Sequence, residues 1–257
     1  MFRVMDAAAT AFHRAYENSA YDFEANGEAR VLRVLAGHDT VRVFDVGANV
    51  GDWTLAARKA LPEADIHSFE IAPATFAKLS RRVASVQPAI TLNLVGLSAA
   101  VGRLRLNYVE QADFLSSGVA VVGPWAPQQI DVNVITGDLY CAERNIDRID
   151  LLKIDVEGME PQVLAGFARM LAARQIRVIQ FEYGVINIAA RFLLKDFYDQ
   201  LTADGYRIGK IYPRCVKFRE YDWRHEDFIG PNFLAVRATA HDLIRRLEGR
   251  SNPNQAG

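Results

Sequence analysis

Residues 43–53 read "VFDVGANVGDW". A run of β-branched and aromatic residues closes on two glycines four apart, Gly47 and Gly51, with Asp45 just ahead of the first and a helix-like stretch opening at Asp52. The pattern predicts a buried strand ending at Val46, a strand-to-helix turn over 47–51 and a crossover helix. In open α/β sheets the ligand sits beyond the carboxyl ends of the strands, so the same turn marks the predicted site. Gly47 allows a backbone approach denied to residues with a Cβ, and the free N–H groups of the helix start favour negative charge.

The rhythm continues outward from this turn. Strands are predicted at 41–46, 65–70, 90–96, 130–135, 149–155 and 176–182, with helices at 52–61, 73–84, 137–145, 159–172 and 193–204 between or after them, which is the signature of a parallel sheet with crossover helices. A short strand at 103–109 precedes residues 110–129, an irregular stretch with two prolines and two glycines, read as a loop of the kind that forms lids or substrate contacts. Stretches 206–212, 215–221 and 231–237 follow without helices and predict antiparallel additions to the sheet edge. Apolar spacing at Ala8, Phe12, Ala15 and Tyr16, then at Val31, Leu32 and Leu35, predicts an N-terminal helical prefix over 1–39. The main domain is read as 40–238, and 239–257 as a C-terminal helix with a disordered tail.

Half of the 257 residues are apolar, enough for a sizeable core. Thirty basic residues against 31 acidic ones leave a formal charge of −1, with none of the basic excess of a nucleic-acid binder. Cys141 and Cys215 are too few for a disulfide framework and fit a reducing, cytoplasmic setting. No stretch reaches the apolar length of a signal peptide or a membrane span.

The spacing in the turn discriminates between ligands. A dinucleotide fingerprint is G-x-G-x-x-G, whereas here Asn49 stands where the middle glycine would be. Asp45 is expected to point a carboxylate into the cleft, which repels a pyrophosphate and suits a cationic ligand such as S-adenosylmethionine. Glu70, closing "DIHSFE" 19 residues after Gly51, is placed to accept hydrogen bonds from ribose hydroxyls.

With "VFDVGANVGDWTL", "IHSFEIAP", "LVGLSAAVGRLRL", "SSGV" and above all "IDLLKIDVEGMEPQVLAGFARML", the chain resembles the FkbM-type methyltransferases over roughly residues 40–237. The resemblance implies a Rossmann-like class I fold, a mostly parallel seven-stranded sheet flanked by helices. It also implies S-adenosylmethionine as donor, S-adenosylhomocysteine as product, and O-methylation of a hydroxyl on a sugar in a glycan or glycosylated metabolite. Donor-binding positions carried over are Asp45, Gly47, Asn49, Gly51, Glu70, Ile71, Leu97, Ser98 and Asp155. Two depart from the family pattern: Ile71 replaces a common proline, and Ser98 stands where an aspartate is frequent.

Candidate catalytic residues lie at the ends of later strands. Asp155 closes 149–155, Glu157 follows, and Lys153 alternates onto the side of Asp155; a lysine inside "IDLLKI" requires a partner. Glu182 closes the neighbouring strand, and carboxylates converging there can raise one another's pKa and leave one as a base. Asp155 and Glu182 could also hold magnesium with a substrate diol, while no spacing suits structural zinc. Trp125, Tyr183, Asn187 and His225 are candidate acceptor contacts. Rival readings are an RNA ribose methyltransferase, a nicotinamide oxidoreductase, disfavoured by Asp45 and Asn49, and a noncatalytic nucleoside-binding protein.

Overall fold

The computed structural model describes residues 2–109, 117–119 and 127–249. Helices α1 (Phe2–Tyr16), α2 (Phe23–Asn26) and α3 (Glu28–Ala36) lead into β1 (Arg42–Val46), α4 (Asp52–Ala60), β2 (Asp65–Phe69), α5 (Pro73–Val83) and β3 (Thr91–Asn93). Strands β4 (Gly96–Leu97), β5 (Gly102–Tyr108) and β6 (Gln128–Ile135) come next. Then follow α6 (Gly137–Glu143), β7 (Ile149–Ile154), α7 (Glu160–Gly166), α8 (Ala168–Ala172), β8 (Ile176–Glu182), α9 (Ile186–Ala190) and α10 (Leu194–Ala203). The chain closes with β9 (Tyr206–Tyr212), β10 (Cys215–Phe218), β11 (Asn232–Arg237) and α11 (His241–Leu247).

The expected α/β class holds: β3-β2-β1-β7-β8 pair in parallel, and β11, β9 and β10 extend the sheet antiparallel, in the order β10-β9-β11-β8-β7-β1-β2-β3. The sheet has eight strands where the resemblance implies seven, and β10 pairs with β9 at its edge as the antiparallel additions predict. Strands β4, β5 and β6 leave it to form a separate three-stranded sheet. The helix expected over 159–172 is broken at Phe167. There Gly166 packs so tightly on the Ser98 carbonyl, and Phe167 on Gly137, that a Cβ at either glycine would overlap its neighbour.

Alternation along β1 sorts the core into two layers. Phe44 and Val46 join Phe69, Tyr140, Ile154, Phe167 and Phe181 on one face. Val43 packs on the other with Leu32 and Leu35 of α3, Trp53 and Ala57 of α4, Leu151, Val178, and Leu243 and Leu247 of α11. Helix α3 is thus part of the core, whereas every side chain described on α1 is exposed, Met5, Phe12 and Tyr16 among them. No helix among the described residues is long and apolar enough to cross a membrane.

Candidate active site

Order reverses in the sheet at β1, which lies between β2 and β7, and a cleft opens there beyond the strand ends. It encloses about 860 Å3, open solvent at its mouth included. Three residues of the 47–51 turn have positive φ: Gly47 at 83°, Asn49 at 48° and Gly51 at 90°. Asparagine tolerates that region better than most residues with a Cβ. A Cβ at Gly47 would overlap the Asp155 carbonyl oxygen, so glycine lets the turn touch the end of β7. Glu70 braces the turn, its carboxylate accepting from Asn49 N at 3.0 Å and from Ala72 N at 2.8 Å.

Of the expected donor residues, Gly47, Asn49, Glu70, Ile71, Leu97 and Asp155 line this cleft. Three others lie elsewhere. Gly51 begins α4 against α5, where a Cβ would come 2.6 Å from Leu79 Cδ1, so its role is helix packing. Ser98 N donates to Ile135 O and the Ser98 carbonyl carries Gly166, which ties it to the strand behind the cleft. Asp45 is fully buried beneath the turn, because alternation turns it to the α3–α4 face away from the cleft. Its carboxylate accepts from Thr54 Oγ1 at 2.5 Å and lies 3.5 Å from Lys153 Nζ.

Asp45 belongs to a buried polar row that sequence reading missed. Ser68, Asp45, Lys153 and Gln180 stand in register on four adjacent strands, all at most 4% exposed. Gln180 Nε2 donates to Glu28 Oε1 at 2.5 Å, and Asn26 Nδ2 to Glu28 Oε2 at 2.7 Å, so the N-terminal segment closes the row. Period-2 polar residues inside otherwise apolar strands were its only trace in the sequence. Burial would strip the Lys153 proton, but Asp155, Asp45 and Glu28 outweigh it and hold the lysine charged.

At the lip, Lys153 Nζ donates to Asp155 Oδ2 at 3.0 Å. Burial would raise Asp155, and the Lys153 charge reverses that, holding it below the usual carboxylate range. Asp155, Glu157 and Glu182 each bring a carboxylate oxygen within 4.8 Å of the others. Burial and the Asp155 and Glu157 charges push Glu182 well above its ordinary value; burial, Asp155 and Glu160 push Glu157 up to about 8. The four expected catalytic residues are therefore brought together. Glu157 takes φ 51° and Gly158 φ 93°, a sharp turn held by Glu160 Oε1, which accepts from Val156 N and Gly158 N. Ser117 Oγ donates to Glu157 O at 2.5 Å and pins the centre of the 110–129 stretch to this turn.

The expected acceptor contacts fare differently. Tyr183 is buried, with its hydroxyl donating to Glu226 Oε2 at 2.6 Å, so packing takes it out of the cleft. Asn187 is also buried and caps its own turn, accepting from Gly184 N at 2.9 Å. His225 Nδ1 accepts from Asp222 N at 3.2 Å in a short surface turn. Trp125 and residues 110–116 and 120–126 of the expected lid lie outside the described residues, as does the tail from 250. The cleft gains instead an apolar wall of Leu104, Leu106 and Val134 from the small sheet, with Met159.

The sequence pattern of the family described as "Methyltransferase FkbM domain" matches residues 45–208. The chain belongs to the FkbM methyltransferase family. This FkbM-family chain is 30% identical over 151 residues to the 31-O-demethyl-FK506 methyltransferase FkbM of Streptomyces tacrolimicus, covering 48% of this chain and 58% of that protein. To the hexuronic acid methyltransferase AglP of Haloferax volcanii it is 26% identical over 165 residues, with 63% and 65% covered. The chain thus spans less than two thirds of the length of these relatives. The crystal structure of methyltransferase FkbM from Methylobacillus flagellatus superposes with a TM-score of 0.47 at 16% identity, covering 77% of this chain and 44% of that one.

Proposed function

We propose that the chain is an S-adenosylmethionine-dependent O-methyltransferase whose acceptor is a hydroxyl, favoured as that of a sugar in a glycan or glycosylated metabolite. The observation that carries this reading is the convergence of Asp155, Glu157 and Glu182 at the lip of a cleft floored by a glycine turn and Glu70. The residues fit the donor. Gly47 lines the cleft beside Asp155, Asn49 Oδ1 is buried without a hydrogen-bond partner among the described residues, and the Leu97, Leu104 and Val134 wall suits a base. The Glu70 carboxylate lines the cleft, and a carboxylate there is an acceptor for ribose hydroxyls. The sugar acceptor is supported by the relative named for a hexuronic acid.

When bound, the donor supplies a methyl group on a sulfonium, which an aligned oxygen can displace in line. Asp155 and Glu182 hold the acceptor hydroxyl at the strand ends. As the new C–O bond forms and the C–S bond breaks, the hydroxyl proton passes to the Asp155–Glu182 pair, and Lys153 balances the charge beneath them. Glu182 must release its own proton first, so turnover is expected to climb with pH as that group ionises.

Titration calorimetry with S-adenosylhomocysteine tests donor binding; micromolar affinity, on the order of −8 kcal/mol, is expected, and NAD binding in its place would sink the assignment. The three-carboxylate cluster is also of the chemistry that holds magnesium. Turnover that survives chelation supports the base pair. Loss on chelation with recovery on added magnesium would give these carboxylates an ion to carry.

A further inference from the structure

A second concave site lies between α3, α11 and the turn joining β9 to β10, away from the cleft lining. Arg30, Arg33, Arg214 and Arg246 border it with Val34, Gly37 and Pro213, and no carboxylate among the described residues lines it. The groove is open and encloses about 880 Å3, solvent at its mouth included. Four positive charges gather there without a counter-charge among the described residues, in a chain whose formal charge is −1. Neighbouring surface arginines find partners: Arg245 pairs with Asp242, and Arg207 lies 3.9 Å from Glu248. None of the four groove arginines makes an ion pair among the described residues.

Their construction differs by position. Arg30 is fixed, with Nη1 and Nη2 donating to the carbonyls of Leu247 at 3.0 Å and Arg246 at 2.7 Å at the end of α11. That contact locks the junction of α3 and α11 and sets one guanidinium in the floor of the groove. Arg33 reaches only a carbonyl of its own helix, at Ala29. Arg33, Arg214 and Arg246 are exposed. The geometry is of one held cation and three free forks from three separate elements converging on one hollow. Guanidinium forks match phosphate oxygens two at a time, and a single carboxylate leaves most of this charge unmet.

We propose that this groove binds a ligand carrying two or more phosphate charges, gripped by Arg33, Arg214 and Arg246 over the fixed Arg30. Phosphate of this kind has two sources: a free diphosphate group, or the headgroups of an acidic lipid surface. Two probes separate them, inorganic pyrophosphate by titration calorimetry and vesicles of phosphatidylcholine with or without phosphatidylglycerol by co-sedimentation, both at low salt. The full chain is compared with the triple variant Arg33→Gln, Arg214→Gln, Arg246→Gln, which removes no ion pair and spares Arg30. Thermal unfolding of the variant is expected to match the parent; should it not, Arg214→Glu alone, at the tip of the β9–β10 turn, carries the same comparison.

Binding of pyrophosphate that weakens at least about tenfold in the variant supports the proposal with a free ligand. Binding only to phosphatidylglycerol vesicles, lost in the variant and with added salt, supports it with a lipid surface. Binding of both, each lost in the variant, supports the shared chemistry. The proposal is overturned if neither probe binds the parent, or if the variant binds as tightly as the parent, since the anion is then held elsewhere.

Discussion

Lys153 makes the carboxylates at the lip unequal. It stands 3.0 Å from Asp155 and 3.5 Å from Asp45, so removing the Asp155 charge leaves the lysine a buried partner. Asp155→Asn and Glu182→Gln are therefore expected to keep donor affinity and near-normal stability while slowing methyl transfer about 100- to 10,000-fold. Thermal unfolding and single-turnover rates on the same proteins decide: a large fall in melting temperature with near-normal turnover per folded molecule would make these residues structural. Lys153→Met is the contrasting change. It strands Asp45 without its cation and is expected to cost about 3 to 5 kcal/mol in urea unfolding. Glu157 gives a pH test. Burial and the charges of Asp155 and Glu160 raise it from 4.5 to about 8. Between those values the folded chain keeps a proton that the unfolded chain has released, so its contribution to stability falls as pH rises through the window. Glu157→Gln is expected to raise the melting temperature on the alkaline side of pH 8 and leave it unchanged on the acid side of 4.5. Equal shifts at both ends would mean that the charge is already screened.

At the scale of elements, the β1–α4 turn carries the most constraint. Gly47→Ala places a Cβ in positive φ and against the Asp155 carbonyl, so a loss of about 3 kcal/mol or more in urea unfolding is expected. An unchanged midpoint would show that the turn relaxes. Glu70→Ala is expected to weaken S-adenosylhomocysteine binding by about 1 to 3 kcal/mol, through lost ribose contacts and an unbraced Asn49 N–H. The same turn was the most readable part of the sequence, because glycine spacing and hydrophobic runs are local signals. Strands β8 and β9 were read at their observed limits for the same reason. What failed was the direction of single side chains. Asp45 was assigned to the cleft by its nearness to Gly47, yet one step of strand alternation turns it under the sheet. Tyr183 and Asn187 follow a strand end as substrate residues do, but packing of α9 and the Glu226 carboxylate claims them. The departure of β4, β5 and β6 into a sheet of their own rests on long-range pairing, which no local period encodes.

For the whole molecule, the family pattern begins at residue 45, but the folded unit does not. Helix α3 buries Val31, Leu32 and Leu35 under the sheet, each at most 1% exposed. At roughly 1.5 to 3 kcal/mol per buried side chain, a chain begun at residue 40 is expected to lose cooperative thermal unfolding. Removal of residues 2–16 is expected to leave the melting temperature nearly unchanged, since the side chains described on α1 are exposed. A shortened chain from residue 40 that unfolds like the parent would show that α3 adds nothing. The polar row has a thermodynamic consequence for the two regions it joins. One end lies under the Gly47 turn and the other is Glu28 at the start of α3, so the two share the position of Lys153. Reciprocity then requires that a ligand favouring the Lys153–Asp155 contact protect the α2–α3 segment from local opening by the free energy with which docking of that segment favours the ligand. Amide exchange at 26–32 is expected to slow when S-adenosylhomocysteine occupies the cleft, while exchange along α1 stays as it was; equal slowing in both would mean that the prefix responds as one body and the row carries no coupling of its own.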